Sequence, residues 1–187
     1  MSRPDAGFRK LGEREVWGGS LVSVAVGRFA SPEGDEFERE VVHHPGAVSV
    51  VPVVDGGAAV LLVRQYRAAI DRELIEIPAG KRDVAGEEPE ATARRELEEE
   101  VGMRAGRIEK LVEFYNSAGF CDEHSFIFLA DDLEPCAASA HGVEESHLTV
   151  EQVALADVPG LIASGVIADA KTIIGLTLAR ERLAGTA

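Results

Sequence analysis

Apolar and polar residues alternate with the period of a strand along Leu21-Val22-Ser23-Val24-Ala25-Val26, and again from Phe37 to Val42. A period of two puts one side of each segment toward a core and the other toward water. Between them, Ser31-Pro32-Glu33-Gly34-Asp35 carries turn chemistry, which predicts a hairpin. Val48 to Val54 and Ala58 to Val63 are dense in β-branched and aliphatic residues, the composition of central sheet strands. Asp55-Gly56-Gly57 supplies a tight turn between them. Glu73 to Pro78 predicts another short strand, followed by a loop from Ala79 to Gly86. Leu111 to Tyr115, Ser125 to Ala130 and Leu148 to Leu155 predict three more strands. Residues 1–15 are polar and charged and are expected to be poorly ordered.

The pattern changes to a helical period after Pro89. Proline suits a first helical position, because the N–H it lacks would have no partner there. Ala91, Ala93 and Leu97 continue the helix, and Gly102 stands where a helix C-terminus favours glycine. Asp157 to Gly165 predicts a short helix. Asp169 to Leu183 predicts a terminal amphipathic one, with Ile173, Ile174, Leu176, Leu178 and Leu183 as apolar positions. Strands on both sides of a central helix, and a second helix at the end, imply an α/β fold with a mixed sheet between helices.

A chain of 187 residues with 45% hydrophobic residues is expected to form one compact domain with a small N-terminal extension. Its net charge of −14, with no basic block or stripe, argues against nucleic acid or an anionic membrane as partner. An acidic protein that handles an anionic substrate needs positive charge or metal at its site. Cys121 and Cys136 form no disulfide framework and read as reduced thiols, with Cys121 as buried filler. No secretory signal or membrane span is read in the sequence, so a cytoplasmic location is expected.

Within Arg95-Glu96-Leu97-Glu98-Glu99-Glu100-Val101-Gly102-Met103 the acids crowd the negative end of the helix dipole. Each loses about 0.3–1 kcal/mol there instead of gaining it. Glu96, Glu99 and Glu100 stand at i, i+3 and i+4, which brings three carboxylates to one face with Cβ atoms about 5–6 Å apart. At an effective dielectric near 20 each pair repels by roughly 3 kcal/mol, and by less where water screens it. A hard divalent cation would offset that repulsion, since Mg²⁺ takes carboxylates, substrate phosphate and water.

Read together, Glu76-Ile77-Pro78-Ala79-Gly80, Gly86-Glu87-Glu88-Pro89 and Arg95 to Met103 resemble the Nudix hydrolase signature. Gly80 takes the place of its first glycine and Glu87 that of its first glutamate. Arg95, Glu96, Leu97, Glu99, Glu100, Gly102 and Met103 match the remainder. The chain departs from the pattern once here, with six residues between Gly80 and Glu87 where the signature has five. The extra residue falls in a loop and leaves the helix register untouched.

Two further segments resemble the ADP-ribose pyrophosphatases of that family: Arg64-Gln65-Tyr66-Arg67, and Arg39-Glu40-Val41-Val42-His43-His44-Pro45-Gly46-Ala47-Val48. A third, Asn116-Ser117-Ala118-Gly119-Phe120-Cys121-Asp122-Glu123, is similar to their S-P-G-F-S-D-E loop, but Ala118 replaces a proline associated with ADP-ribose. The resemblance implies a Nudix-type α/β/α sandwich with a mixed sheet. Residues 1–45 would form an N-terminal β region exchanged across a two-fold dimer, and residues 46–187 the hydrolase domain.

The implied cofactor is Mg²⁺, with Mn²⁺ as an alternative, held by Ala79, Glu96, Glu99 and Glu100. Arg39, Arg67 and Glu76 would bind substrate, and Arg95 and Glu87 would support the site. Glu145, with Glu144 next to it, would serve as general base alongside a catalytic Glu99. His43 and His44 read as structural, and Trp17 and Phe37 as packing groups, with stacking on adenine as the alternative role for either. The implied reaction is hydrolysis of ADP-ribose to AMP and ribose 5-phosphate. The alternatives are another nucleoside diphosphate derivative (a nucleotide sugar, NADH or FAD) or a Nudix module that senses ADP-ribose without cleaving it.

Overall fold

The computed structural model describes residues 7–137 and 147–185. They fold as two compact units. The first runs to Gly46 and also takes in Tyr115–His124; the second comprises Ala47–Phe114 and the chain from Ser125 on.

The first unit is a three-stranded antiparallel sheet of β1 (Arg9–Gly18), β2 (Ser23–Ala30) and β3 (Glu36–His43), in that order. The expectation of poor order over residues 1–15 fails for Arg9–Glu15, which lie in β1 and pair with β2 from Arg9↔Ala30 onward. Every residue of β1 is exposed, so no burial pattern marks it. Its ladder to β2 holds it, with irregularities at Lys10/Gly12 and Glu15/Trp17. The predicted hairpin forms between β2 and β3. There the Ser31 hydroxyl accepts hydrogen bonds from the Glu33 and Asp35 N–H groups, each at 3.2 Å. The Val42 N–H donates to the Phe120 carbonyl at 2.7 Å and the Asp122 N–H donates to the Val42 carbonyl at 3.1 Å, which ties the 115–124 segment to β3.

The second unit is built on β4 (Ala47–Val54), β5 (Ala59–Arg67), β6 (Arg72–Glu76), β7 (Ala79–Lys81), β8 (Met103–Tyr115), β9 (His124–Pro135) and β10 (Thr149–Ala154). The path through the sheet is β10-β5-β4-β9-β8, with β6 on β5 and β7 on β4. β4 runs parallel to β9 and antiparallel to β5 and β7, so the sheet is mixed as expected. β7 falls in the segment expected to be a loop. Three residues containing glycine carry no periodicity, and only pairing with Ala47, Val48 and Ser49 makes them a strand.

Side-chain alternation divides the core in two. Val48 and Val50, beside Phe126 and Phe128, pack with Ala93 of α1 (Pro89–Glu96) and with Leu97 just after it. Val51 and Val53, beside Ile127 and Leu129, pack with Leu176 and Ala179 of α3 (Ala170–Ala184). The short α2 (Val158–Ala163) adds Val158 to that second core. Helices therefore cover both faces of the sheet. Leu62, Ile77 and Leu97 are wholly buried, each contributing about 1.5–3 kcal/mol. α3 crosses closely at Gly175, where a Cβ would stand 3.0 Å from Ile77 Cδ1 and 3.1 Å from Val51 Cγ2.

Candidate active site

α1 opens with Pro89 in its first turn and continues into a wider π turn at Leu97–Val101. Gly102 then leaves the helix with φ of 68°, a left-handed backbone that glycine adopts without penalty. Both predicted ends are found. A π turn inside an α-helix often marks a functional site, and this one carries Glu98, Glu99 and Glu100.

Opposite the helix, β7 presents Gly80. A Cβ there would fall 1.9 Å from Glu96 Cδ and 2.0 Å from Oε1, so the Glu96 carboxylate occupies the space a side chain would need. One residue earlier, the Ala79 N–H donates to Glu100 Oε2 at 2.9 Å. β7 thus seats two helix carboxylates through its backbone, and Glu96 and Glu100 each keep only 9% of their surface exposed.

Arg95 lies among the acids. Its Nη1 is 2.7 Å from Glu96 Oε1 and 3.1 Å from Glu99 Oε2, and its Nη2 is 3.4 Å from Glu87 Oε2. Burial works against its charge, but those carboxylates hold the guanidinium pKa above the ordinary arginine value. The Thr92 hydroxyl donates to Glu87 Oε2 at 2.8 Å, and with Arg95 it holds the Glu87 carboxyl below the usual range. The extra residue after Gly80 has not displaced Glu87 from the cluster.

Among the described residues, no group of three His, Cys, Asp or Glu side chains stands in an arrangement ready to hold a metal ion. The Arg95 guanidinium reaches in between Glu96 and Glu99. The donor chemistry nevertheless suits a hard cation. Arg95 faces three carboxylates, Glu87, Glu96 and Glu99, so the cluster carries more carboxylates than the one guanidinium between them. The Gly80 backbone also leaves the Glu96 carboxylate room beside it.

Arg67, at the end of β5, forms a two-point pair with Glu76. Its Nε donates to Oε1 at 2.8 Å and its Nη2 to Oε2 at 2.7 Å. Glu76 has no exposed surface. Burial opposes its ionisation, yet Arg67 and the Lys171 ammonium hold its carboxyl below the usual range. Lys171 pairs with Glu76 Oε2 and stands 3.0 Å from Asp169 Oδ2. Sequence reasoning passed over Lys171, which reads as one polar position of an amphipathic helix.

Arg39 belongs to the first unit. Its guanidinium carbon sits 4.8 Å from the centre of the Phe37 ring, and its Nη1 donates to the Glu38 carbonyl at 2.7 Å. Phe37 stacks on Phe29 with ring centres 5.6 Å apart, whereas Trp17 is exposed. Within this unit a cavity of about 340 Å³ is lined by Phe29, Arg39, Tyr115, Ala118, Phe120 and Cys121 among others. Beside it His43 is held between two acids, with Nδ1 2.6 Å from Asp122 and Nε2 3.1 Å from Glu13. Both cysteines are free and partly exposed, so Cys121 is not the buried filler expected. Glu144 and Glu145 lie outside the described residues.

The family model for the NUDIX domain matches residues 43–173. The ADP-ribose pyrophosphatase of Bacillus subtilis (strain 168) is 39% identical over 164 residues, 88% of each chain. The methanol dehydrogenase activator of Bacillus methanolicus is 34% identical over 162 residues, 87% of this chain and 86% of that one. A solved structure described as an ADP compounds hydrolase superposes with a TM-score of 0.85 at 25% identity, covering 100% of this chain and 99% of its own.

Proposed function

Because this chain belongs to the NUDIX family, we propose that it hydrolyses the pyrophosphate bond of ADP-ribose, with Mg²⁺, to AMP and ribose 5-phosphate. The Glu96 and Glu100 carboxylates, from the end of α1 and the π turn after it, seated on Gly80 and Ala79, carry this reading. The names borne by the Bacillus subtilis relative and the solved hydrolase support the substrate.

Glu96, Glu99, Glu100 and the Ala79 carbonyl would hold the metal, and Mn²⁺ would be able to replace Mg²⁺. When bound, such an ion neutralises a pyrophosphate and lowers the pKa of bound water. Arg95 keeps the acids in register through charge-assisted hydrogen bonds, and Glu87 anchors Arg95. Arg67 gives Nε and Nη2 to Glu76, and its Nη1 is assigned to the pyrophosphate, whose oxygens suit a guanidinium donor. Glu76, fully buried, acts by orienting Arg67. Arg39, on the wall of the first unit's cavity, is assigned to substrate binding. Glu145 takes the proton of the attacking water, whose oxygen adds to one phosphorus as the P–O–P bridge breaks. The working form is taken to be a cytoplasmic homodimer. Among the described residues, no helix is long and apolar enough to cross a membrane.

The test is a comparison of kcat/KM for ADP-ribose, UDP-glucose, GDP-mannose, NADH and FAD at saturating Mg²⁺. A preference for ADP-ribose of about tenfold or more upholds the substrate. Preference for another compound keeps the chemistry and moves the substrate. Tight ADP-ribose binding without cleavage of anything overturns the hydrolase.

A further inference from the structure

The first turn of α3 grips the end of β6, three residues before the Ala79-Gly80 backbone that seats Glu100 and Glu96. Asp169 caps the helix, accepting from the Thr172 N–H at 2.9 Å and from its hydroxyl at 2.6 Å. The Thr172 hydroxyl in turn accepts the Ile77 N–H at 3.0 Å. Lys171 spans from Asp169 to Glu76 with only 16% of its side chain exposed.

The Glu76 carboxylate is therefore shared. Among the described residues its Oε1 accepts from Arg67 alone, and its Oε2 from both Arg67 Nη2 and Lys171. One guanidinium already neutralises one carboxylate. A second cation on the same oxygen draws off part of that negative charge, so Arg67 keeps more of its attraction for another anion. It also fixes Oε2, and with it the plane in which the guanidinium fork lies. Arg67 keeps 40% of its side chain exposed, so that charge is available at the surface.

We propose that Lys171 is a positioning residue for substrate binding, acting through the shared Glu76 oxygen to orient Arg67 and preserve its charge for a pyrophosphate. The proposal rests on the pyrophosphatase reading above. A plain packing role, pinning α3 to β6, would change thermal stability without depending on the charge of Glu76.

The experiment is a double-mutant cycle of Lys171→Met with Glu76→Gln, together with Lys171→Arg. Readouts are KM and kcat for ADP-ribose and the Kd of ADP, a plain nucleoside diphosphate, by calorimetry. Lys171→Met is expected to raise KM and the ADP Kd about tenfold with kcat within about threefold. Lys171→Arg should recover most of that loss. In the Glu76→Gln background Lys171→Met should add less than about twofold, because the relay is already cut. Arg67 still pairs with Glu76 in Lys171→Met; should that variant nevertheless fail to fold, Lys171→Gln is measured in the same two backgrounds. Against the proposal stands a Lys171→Met KM and Kd within twofold of wild type, or an equal rise in both backgrounds. A wild type that releases no AMP from ADP-ribose overturns the substrate reading instead, and the ADP Kd values still decide the role of Lys171.

Discussion

Gly80→Ala makes a sharp test of the seat beneath Glu96. Gly80 has no left-handed φ, so alanine fits the backbone there, and the strain falls on the carboxylate. A new Cβ would lie 1.9 Å from Glu96 Cδ, and Cβ contacts shorter than 3.0 Å are essentially never seen. Glu96 must therefore move by about 1 Å or more, or take another rotamer. A misplacement of about 1 Å in a catalytic constellation can cost roughly 10²-fold in rate, equivalent to about 2.7 kcal/mol of transition-state stabilisation. The assay is steady-state AMP release from ADP-ribose across a Mg²⁺ titration, with thermal unfolding followed in parallel. The expected result is kcat/KM down about 10²-fold, a higher Mg²⁺ requirement and a melting temperature within about 3 °C of wild type. A variant within threefold of wild type at every Mg²⁺ concentration would refute the reasoning, since Glu96 would then have no need of that position.

Glu145→Gln should lower kcat by about 10²–10⁴ with little change in KM; a rate within twofold of wild type removes Glu145 from the mechanism. The Asp122 hydrogen bond, and after it the one to Glu13, raises the His43 pKa above its usual 6.5. Its contribution is then complete below pH 6.5 and lost as pH rises through the raised value. The melting-temperature gap between wild type and His43→Gln should accordingly be largest near pH 6 and shrink toward about pH 9; a gap that widens with pH contradicts the pairing. Gly175→Val would push against Ile77, Val51 and Ile127, at a cost of about 1–3 kcal/mol or several degrees in melting temperature, with KM unchanged. Scanning calorimetry that finds no loss would mean that α3 sits farther from the sheet.

Much of this architecture was legible because burial and sequence pattern agree. Val48–Val54 of β4 and Ala59–Val63 of β5 are mostly aliphatic and almost wholly buried, and the helix carrying Glu96, Glu99 and Glu100 is bounded by Pro89 and Gly102, whose backbone requirements are local. β1 was missed because all of it is exposed, and only its ladder to β2 makes it a strand. β7 was missed because three residues hold no period. The spacing of the glutamates predicts a shared face, and Glu96 and Glu99 do meet at Arg95 Nη1. It could not show that Gly80 leaves room for one of them, or that the Ala79 N–H holds another, because those contacts join residues far apart in sequence. Lys171 was invisible for the same reason: its partner Glu76 is 95 residues away.

The measurement that bears most directly on the account is AMP release from ADP-ribose by the wild-type protein and by Glu100→Gln, each titrated with Mg²⁺. The account predicts AMP and ribose 5-phosphate in equal amounts from the wild type, abolished by chelator and restored by Mg²⁺. In Glu100→Gln it predicts a rate lower by about 10² or more at any Mg²⁺ concentration. AMP release that survives chelation, or a Glu100→Gln rate within threefold of wild type, would contradict it.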